Sequence, residues 1–461
     1  MIINSFFNQC QILFGEAPGM AEQLIQTFND PINRFAWGWP TVILISITGI
    51  ILMVGLKFSP IINIPRGFRL LFSSEKPNQE GEISPFEALM TSLSATIGTG
   101  NIAGVAAAIA VGGPGAVFWM WVISLFGIAT KYSEAVLAVY FREKDSLGHY
   151  VGGPMYYIKN GLGKRWEWLA GSFAIFGMFA GFGIGNGVQS FEVSSALLLL
   201  GIPKFVTGII LSALVFAVII GGVTRIARTA SAIVPSMAIA YILVCLVIIS
   251  INIFKIPEAF SLIFANAFTG KAAISGSVFQ VILMGFKRGI FSNEAGLGSA
   301  PIAHASAKTN DPVRQGQIAM LGTFVDTLVI CTMTALVILT SGVYGEGLSG
   351  ADLSIAAFNS AIPGSGWVVL LGLVVFAFTT ILGWSLYGER CTEYLFGVRA
   401  ILPFRLLWVS VVVFGAVAGN RGVVWGLADT LNGLMAIPNL IGLLLLSGTV
   451  FRLSRRNSPE N

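Results

Sequence analysis

The stretch Leu93-Ser94-Ala95-Thr96-Ile97-Gly98-Thr99-Gly100-Asn101-Ile102-Ala103-Gly104 lies in the middle of an apolar segment of membrane-crossing length. Glycine weakens a helix, and Thr and Asn offer backbone groups a competing hydrogen bond, so Gly98-Thr99-Gly100-Asn101 predicts an interrupted helix. In hydrocarbon such a break is tolerated only where it is buried in protein or lines a wet cavity. It therefore predicts a binding site, with free N–H groups facing an anion and free carbonyls facing a cation. Close packing through small residues accounts for Gly104 and Ala108, four apart. It leaves an Asn beside two glycines unexplained.

Composition sets the frame. Of 461 residues 55% are hydrophobic and 11% charged, and the mean hydropathy of +0.81 lies far above that of soluble domains. This is a polytopic membrane protein embedded in a lipid bilayer. No basic run is long enough to suggest nucleic acid as a partner, so the net charge of +5 is assigned to loop anchoring. Cys10, Cys245, Cys331 and Cys391 are too scattered for a disulfide framework or a metal cluster. The first residues lack the pattern of a signal peptide, and an amphipathic helix around Glu16 to Phe28 fits them.

Apolar spans are read at 36–58, 86–110, 113–141, 168–199, 203–222, 229–252, 272–300, 315–341, 364–388, 401–419 and 423–451, which gives eleven crossings. The 168–199, 272–300 and 423–451 spans are long enough to tilt, kink or break. With the N-terminus outside, the inner stretches 57–76, 142–165, 225–228, 308–314, 390–405 and 452–456 hold nineteen Lys and Arg. The outer connections hold five, namely Arg34, Lys204, Lys255, Lys271 and Arg421. This bias places the C-terminus in the cytoplasm and the chain in the plasma (inner) membrane as a multi-pass protein.

A second stretch, Gly285-Phe286-Lys287-Arg288-Gly289-Ile290-Phe291-Ser292-Asn293-Glu294-Ala295-Gly296-Leu297-Gly298-Ser299-Ala300, also sits inside an apolar span and predicts a second broken helix. Asn101-Ile102-Ala103-Gly104 and Asn293-Glu294-Ala295-Gly296 share an Asn-x-Ala-Gly core, one in the second span and one in the seventh. Elements five spans apart run in opposite directions. One extra N-terminal helix followed by a five-plus-five inverted repeat then fits the count, with a transport site at the repeat interface. The expected organisation is an extracytoplasmic segment 1–35, a first helix and cytoplasmic loop 36–85, repeats 86–252 and 253–451, and a cytoplasmic tail 452–461.

Thr-Gly-Asn-Ile-Ala-Gly-Val-Ala-Ala-Ala-Ile-Ala-Val-Gly-Gly-Pro-Gly-Ala-Val-Phe-Trp-Met-Trp (99–121) resembles the signature of the alanine/glycine:cation symporter family. Lys287-Arg288-Gly289 to Gly298, and Thr379-Thr380-Ile-Leu-Gly-Trp384-Ser-Leu-Tyr-Gly-Glu-Arg, resemble its other hallmarks. The resemblance runs from about residue 36 over nearly the whole chain. It implies an all-α leucine-transporter-like fold, sodium as the co-transported ion, and a small neutral amino acid as substrate: alanine, glycine, serine or D-alanine.

The residues can be read beside it. The N–H groups of Thr99 and Gly100, at the start of the second half-helix, suit a substrate carboxylate, and the Thr96 carbonyl suits its ammonium group. The resemblance adds Gln189, Phe291, Ser292, Thr380 and Trp384 to the substrate contacts. For sodium it implies Thr379 and Thr380 with the carbonyls of Ser94 and Ile97, and Asn101. The competing reading of Thr379 and Thr380 is a hydroxyl bonded to a carbonyl one turn earlier. Phe291 and Trp384 are placed to wall a small apolar pocket, while Gly181-Phe-Gly183-Ile-Gly185-Asn186-Gly187 brings the fourth span close to its neighbours.

The charges singled out in or beside the spans are Lys131, Glu134, Lys287, Arg288, Glu294, Asp326, Glu389 and Arg390. Lys131 and Glu134 are spaced to pair on one helix face. Lys287, Arg288 and Glu294 are expected to form a gate or ion-pair network, and Asp326 has no evident partner. Only two histidines are present, so a histidine proton relay is disfavoured. Some proton-coupled relatives of this fold place a Lys from the fifth repeat helix in the sodium position, whereas here Thr229 to Asn252 contains no Lys or Arg. An intramembrane enzyme lacks support, since no His-Glu-x-x-His or Gly-x-Ser-x-Gly occurs. An ion channel would leave two inverted broken helices without a purpose.

The charge asymmetry yields a first prediction. A reporter fused after Asn461 reads cytoplasmic and one before Met1 reads external; both ends on one side would remove the eleven-span arrangement.

Overall fold

In the computed structural model the chain is described over residues 20–73, 78–270 and 276–456. Cys10, Lys76, Lys271, residues 1–19 of the N-terminal segment and the last five residues of the tail lie outside the described residues. The described chain is helical nearly throughout. The departures are an antiparallel hairpin, Glu143–Lys144 with Tyr150–Val151, and a single bridge between Ile83 and Ala307.

Among the described residues eight helices are long and apolar enough to cross a bilayer, and the pair Pro85–Thr96 and Gly100–Gly112, bent by 52°, makes a ninth. The other two expected crossings are shorter. Lys204–Ile219 has 16 residues, about 24 Å of helix against a hydrocarbon core of about 30 Å. In the expected 272–300 span the described helix, Val278–Asn293, also has 16 residues. It stops because Glu294, Gly296 and Gly298 adopt φ of 57°, 88° and 79°, conformations no helix accepts. Nine full-length spans and two short helices thus stand where eleven full spans are expected. The fourth and eleventh are longer than read, at Lys164–Leu198 and Arg421–Arg456.

The N-terminal amphipathic helix runs over Met20–Ala36. It exposes Phe28 and Phe35 and lies along the last span, where the Asn33 amide reaches Thr430 Oγ1 (2.9 Å) and Trp37 Nε1 donates to the Asp429 carbonyl (2.7 Å). At the centre of the bundle is Gly115–Tyr140, whose most apolar stretch is 83% buried. Helices five spans apart pack on each other: Gly115–Tyr140 on Pro312–Thr323, Lys204–Ile219 on Ile401–Val417, Glu167–Ala180 on Gly366–Phe396, and the two broken segments together. The fourth span's glycines permit close approach. A Cβ on Gly185 would lie 2.2 Å from Trp384 Cβ, and one on Gly183 would lie 3.1 Å from Ala428 Cα.

On the Lys- and Arg-rich face the ends of the two broken segments are zipped together. Glu82 N donates to Ser306 O (2.8 Å), Lys308 N to Ile83 O (2.7 Å) and Thr309 N to Glu80 O (2.9 Å). The Arg142 guanidinium closes this seam by donating to the carbonyls of Glu80, Ala305, Ala307 and Thr309 at 2.7–3.0 Å. Beside it the Tyr150 hydroxyl donates to the Glu80 carboxylate (2.7 Å), which holds that carboxyl below its usual range.

Candidate substrate and ion site

The first break begins where a well-started helix runs out. Ser84 and Glu87 form a capping box at its start, and the α-helix continues from Pro85 to Thr96. Ile97 then turns extended (ψ 91°). The chain resumes as a π-helical turn, Gly100–Gly104, before Val105–Gly112. The groups freed by the break are met by neutral side chains. Thr380 Oγ1 lies 3.1 Å from Ser94 O and 3.4 Å from Ile97 O. Gly98 N donates to Asn101 Oδ1 (2.9 Å) and Thr99 N to Gln189 Oε1 (3.3 Å). Gly98 is obligatory here, because a Cβ would sit 2.5 Å from Thr380 Oγ1.

The second break repeats the device. Asn293 Oδ1 accepts from Ala295 N (2.9 Å), as Asn101 Oδ1 does from Gly98 N. The two Asn amides then converge on neighbouring residues of the eighth span, inside the π-helical turn Phe324–Cys331. Asn101 Nδ2 donates to Asp326 Oδ1 (2.7 Å), and Asn293 Nδ2 reaches Thr327 Oγ1 (3.1 Å). Asp326 Oδ2 also accepts from the hydroxyls of Ser292 (2.8 Å) and Thr327 (2.7 Å). The carboxylate without an evident partner is therefore the bridge between both broken segments, and it is fully buried.

Glu294 does not join Lys287 and Arg288. Its carboxylate accepts from Trp384 Nε1 (2.7 Å) and the Ser299 hydroxyl (2.5 Å), so it orients the indole that packs on Gly185. Phe291 is on the other side of the first break. A Cβ on Gly100 would meet its ring at 3.1 Å, and the ring stacks on Trp425 with centroids 4.9 Å apart. Trp384 and Phe291 thus stand apart, each ring with its own support.

The structure separates the two adjacent Thr hydroxyls. Successive helical residues are turned by about 100°, and only Thr380 faces the Ser94 and Ile97 carbonyls. Thr379 Oγ1 donates to Phe376 O (2.9 Å), the backbone bond that competes with an ion role, and lies 3.7 Å from Met237 Sδ. The Thr96 hydroxyl likewise turns back to Ser92 O and Leu93 O. Lys131 and Glu134 do not pair. Glu134 Oε1 instead takes Gly296 N, Gly298 N and Asn439 Nδ2 at 2.7–3.2 Å, while Lys131 Nζ is buried with no hydrogen-bond partner among the described residues. Trp425 and Asp429 escape a sequence reading altogether. Their only signal is an indole and a carboxylate inside the last apolar span.

Known proteins place this architecture. The Sodium:alanine symporter family matches residues 22–458. The chain is 49% identical to the "Sodium/alanine symporter AgcS" of Methanococcus maripaludis over 93% of its own length and 98% of that protein. It is 40% identical to the "Probable sodium/glutamine symporter GlnT" of Bacillus subtilis over 93% and 90%. Among solved structures, MhsT in complex with L-phenylalanine superposes with a TM-score of 0.50 at 13% identity, over 82% of this chain and 99% of that one, which establishes a shared fold.

The contact between Gly185 and Trp384 carries a prediction. Gly185→Ala drives a methyl into the indole and costs about 1–3 kcal/mol, read as a lower unfolding midpoint of the purified protein. Gly171→Ala, whose Cβ meets open space, leaves the midpoint unchanged.

Proposed function

The chain belongs to the sodium:alanine symporter family, and on that premise we propose that it imports a small neutral amino acid, alanine or glycine, together with sodium by alternating access. It is a transporter of the amino-acid:cation symporter kind rather than an enzyme. One observation carries the ion assignment. Three oxygens, Thr380 Oγ1 with the carbonyls of Ser94 and Ile97, converge at the end of a half-helix, where the helix dipole favours a cation. Sodium there takes over from the Thr380 hydroxyl hydrogen bond: the O–H turns away, its proton retained, and the ion draws on all three oxygens.

The amino acid is read onto the same break. Its carboxylate takes the place that Gln189 Oε1 holds at Thr99 N, next to the Gly100 N–H, where the second half-helix presents its positive end. Its ammonium group faces the Thr96 carbonyl and the negative field of Asp326. Phe291 and Ser292 close one side against Gly100, and Trp384, held by Glu294, bounds the side chain. The inverted repeat, the cytoplasmic C-terminus and the plasma-membrane location belong to this reading, supported by the packing of helices five spans apart and by the charge asymmetry.

A second reading, proton coupling, rests on Lys131, a buried ammonium on the third span without a hydrogen-bond partner. Proteoliposomes separate the two. Sodium coupling predicts that labelled alanine accumulates after a sodium jump and continues to do so when a proton gradient is collapsed. Thr380→Ala weakens apparent sodium affinity by about tenfold or more, the scale of one lost interaction with a charged group, and Thr379→Ala changes it far less. Full accumulation without sodium would overturn the assignment.

Size selection is tested by competition. Glycine and serine compete with labelled alanine, and leucine and phenylalanine do not. Trp384→Ala admits a longer side chain such as that of methionine. Strong competition by leucine in the unmodified protein would make Trp384 a packing residue.

A further inference from the structure

The Lys287-Arg288 pair takes no part in either break, and its charge is not balanced. Lys287 Nζ (2.7 Å) and Arg288 Nη2 (2.8 Å) both contact one oxygen, Asp429 Oδ2. The three side chains are 15%, 8% and 5% exposed. Aromatic rings surround them. Trp37 is centred 6.0 Å from Nζ, and Phe291 and Trp425 are centred 5.3 Å and 4.9 Å from the guanidinium carbon. Among the described residues no second carboxylate pairs with either cation. Glu192, beyond Trp425, is matched by Arg421 Nη2 at 2.8 Å. Two cations and one carboxylate leave a net charge of +1 in an apolar wall.

Hydrogen bonding is incomplete at the same point. Among the described residues Arg288 Nε and Nη1 are buried with no acceptor, and Asp429 Oδ1 is buried with no donor. The aromatic faces satisfy the face of the guanidinium, but its N–H groups lie in the plane and need an acceptor there. A buried charged donor left without one is costly. Water would supply the acceptor without the charge, and a dianion would overshoot to −1. One monovalent anion supplies both the Arg288 acceptor and the missing charge, and leaves only Asp429 Oδ1 to a water.

We propose that Lys287, Arg288 and Asp429 form a binding site for a single small monovalent anion beside Phe291. The ligand is a halide from solution or the carboxylate of a second amino-acid molecule, distinct from the one placed at Thr99 N. The carboxylate form rests on the substrate reading above, whereas the halide form is independent of it.

The test uses the purified full chain at constant sodium. Without amino acid, sodium gluconate is exchanged for sodium chloride while the unfolding midpoint is followed. A saturable rise in the unmodified protein, retained in Lys287→Arg and absent in Lys287→Gln, identifies a halide. If chloride has no effect, alanine and alaninol, which lacks the carboxylate, are titrated in gluconate. An alanine affinity about tenfold or more weaker in Lys287→Gln, with alaninol unchanged and Lys287→Arg restoring alanine, identifies the carboxylate. No chloride response together with equal alanine affinity in all three proteins overturns the site. The chloride measurement involves no transport, so its outcome does not depend on whether alanine is the substrate.

Discussion

A backbone N–H or C=O left unbonded in hydrocarbon costs several kcal/mol, and this cost organises the centre of the protein. Breaking two helices frees such groups at Ser94, Ile97, Gly98 and Thr99, and again at Ala295, Gly296 and Gly298. Each break meets the first demand from its own chain, through an Asn that caps a nearby N–H: Asn101 for Gly98, Asn293 for Ala295. The remaining demands recruit Gln189, Thr380 and Glu134 from three other spans. The packing of the bundle around its middle therefore follows from the need to finish hydrogen bonds that two short interruptions left open.

The two breaks are finished in chemically different ways. At the first, the outside partners of the freed backbone groups are neutral and at the long end of hydrogen-bond range, 3.1–3.4 Å from Thr380 and 3.3 Å from Gln189. At the second, one oxygen of a buried carboxylate gathers two backbone N–H groups and an amide. Neutral hydrogen bonds contribute about 0.5–1.5 kcal/mol net, and bonds to a charged group about 1.5–3. Exchange of protein partners for ligands is thus cheaper at the first break, while the second is held by charge. In the proposed reading one break is the binding surface and the other its rigid counterpart.

Much of this was legible before any coordinates. Apolar runs fixed the spans, and Gly-Thr-Gly-Asn and Asn-Glu-Ala-Gly marked both interruptions, because these signals are local. What needed the structure is the rotation of one helix against another. Sequence could not choose between Thr379 and Thr380, which differ only in which side of the ninth span faces Ser94. Nor could it join Asp326 to Asn101, 225 residues away, or Asp429 to Arg288, 141 residues away. Spacing suggested Lys131 with Glu134, and the suggestion failed because the freed N–H groups of Gly296 and Gly298 compete for the same carboxylate. The seventh span was read as longer than its helix for a related reason: hydropathy counts apolar residues and does not register that Glu294, Gly296 and Gly298 leave the helix.

In the proposed reading three consecutive residues, Ile97, Gly98 and Thr99, hold the elements of coupling. The Ile97 carbonyl points to Thr380, the Thr99 N–H points to Gln189, and Gly98 lies between those two side chains with no room for a Cβ. A cation drawn to the carbonyl side and a carboxylate drawn to the N–H side would act on the same short break in the helix, and each would hold it in the geometry the other requires. Ligands that favour one conformation of a shared element raise each other's affinity by the same factor. In the proposed reading symport needs no pathway across the protein, since the ion and the substrate would be separated by the length of a single tripeptide whose backbone serves both.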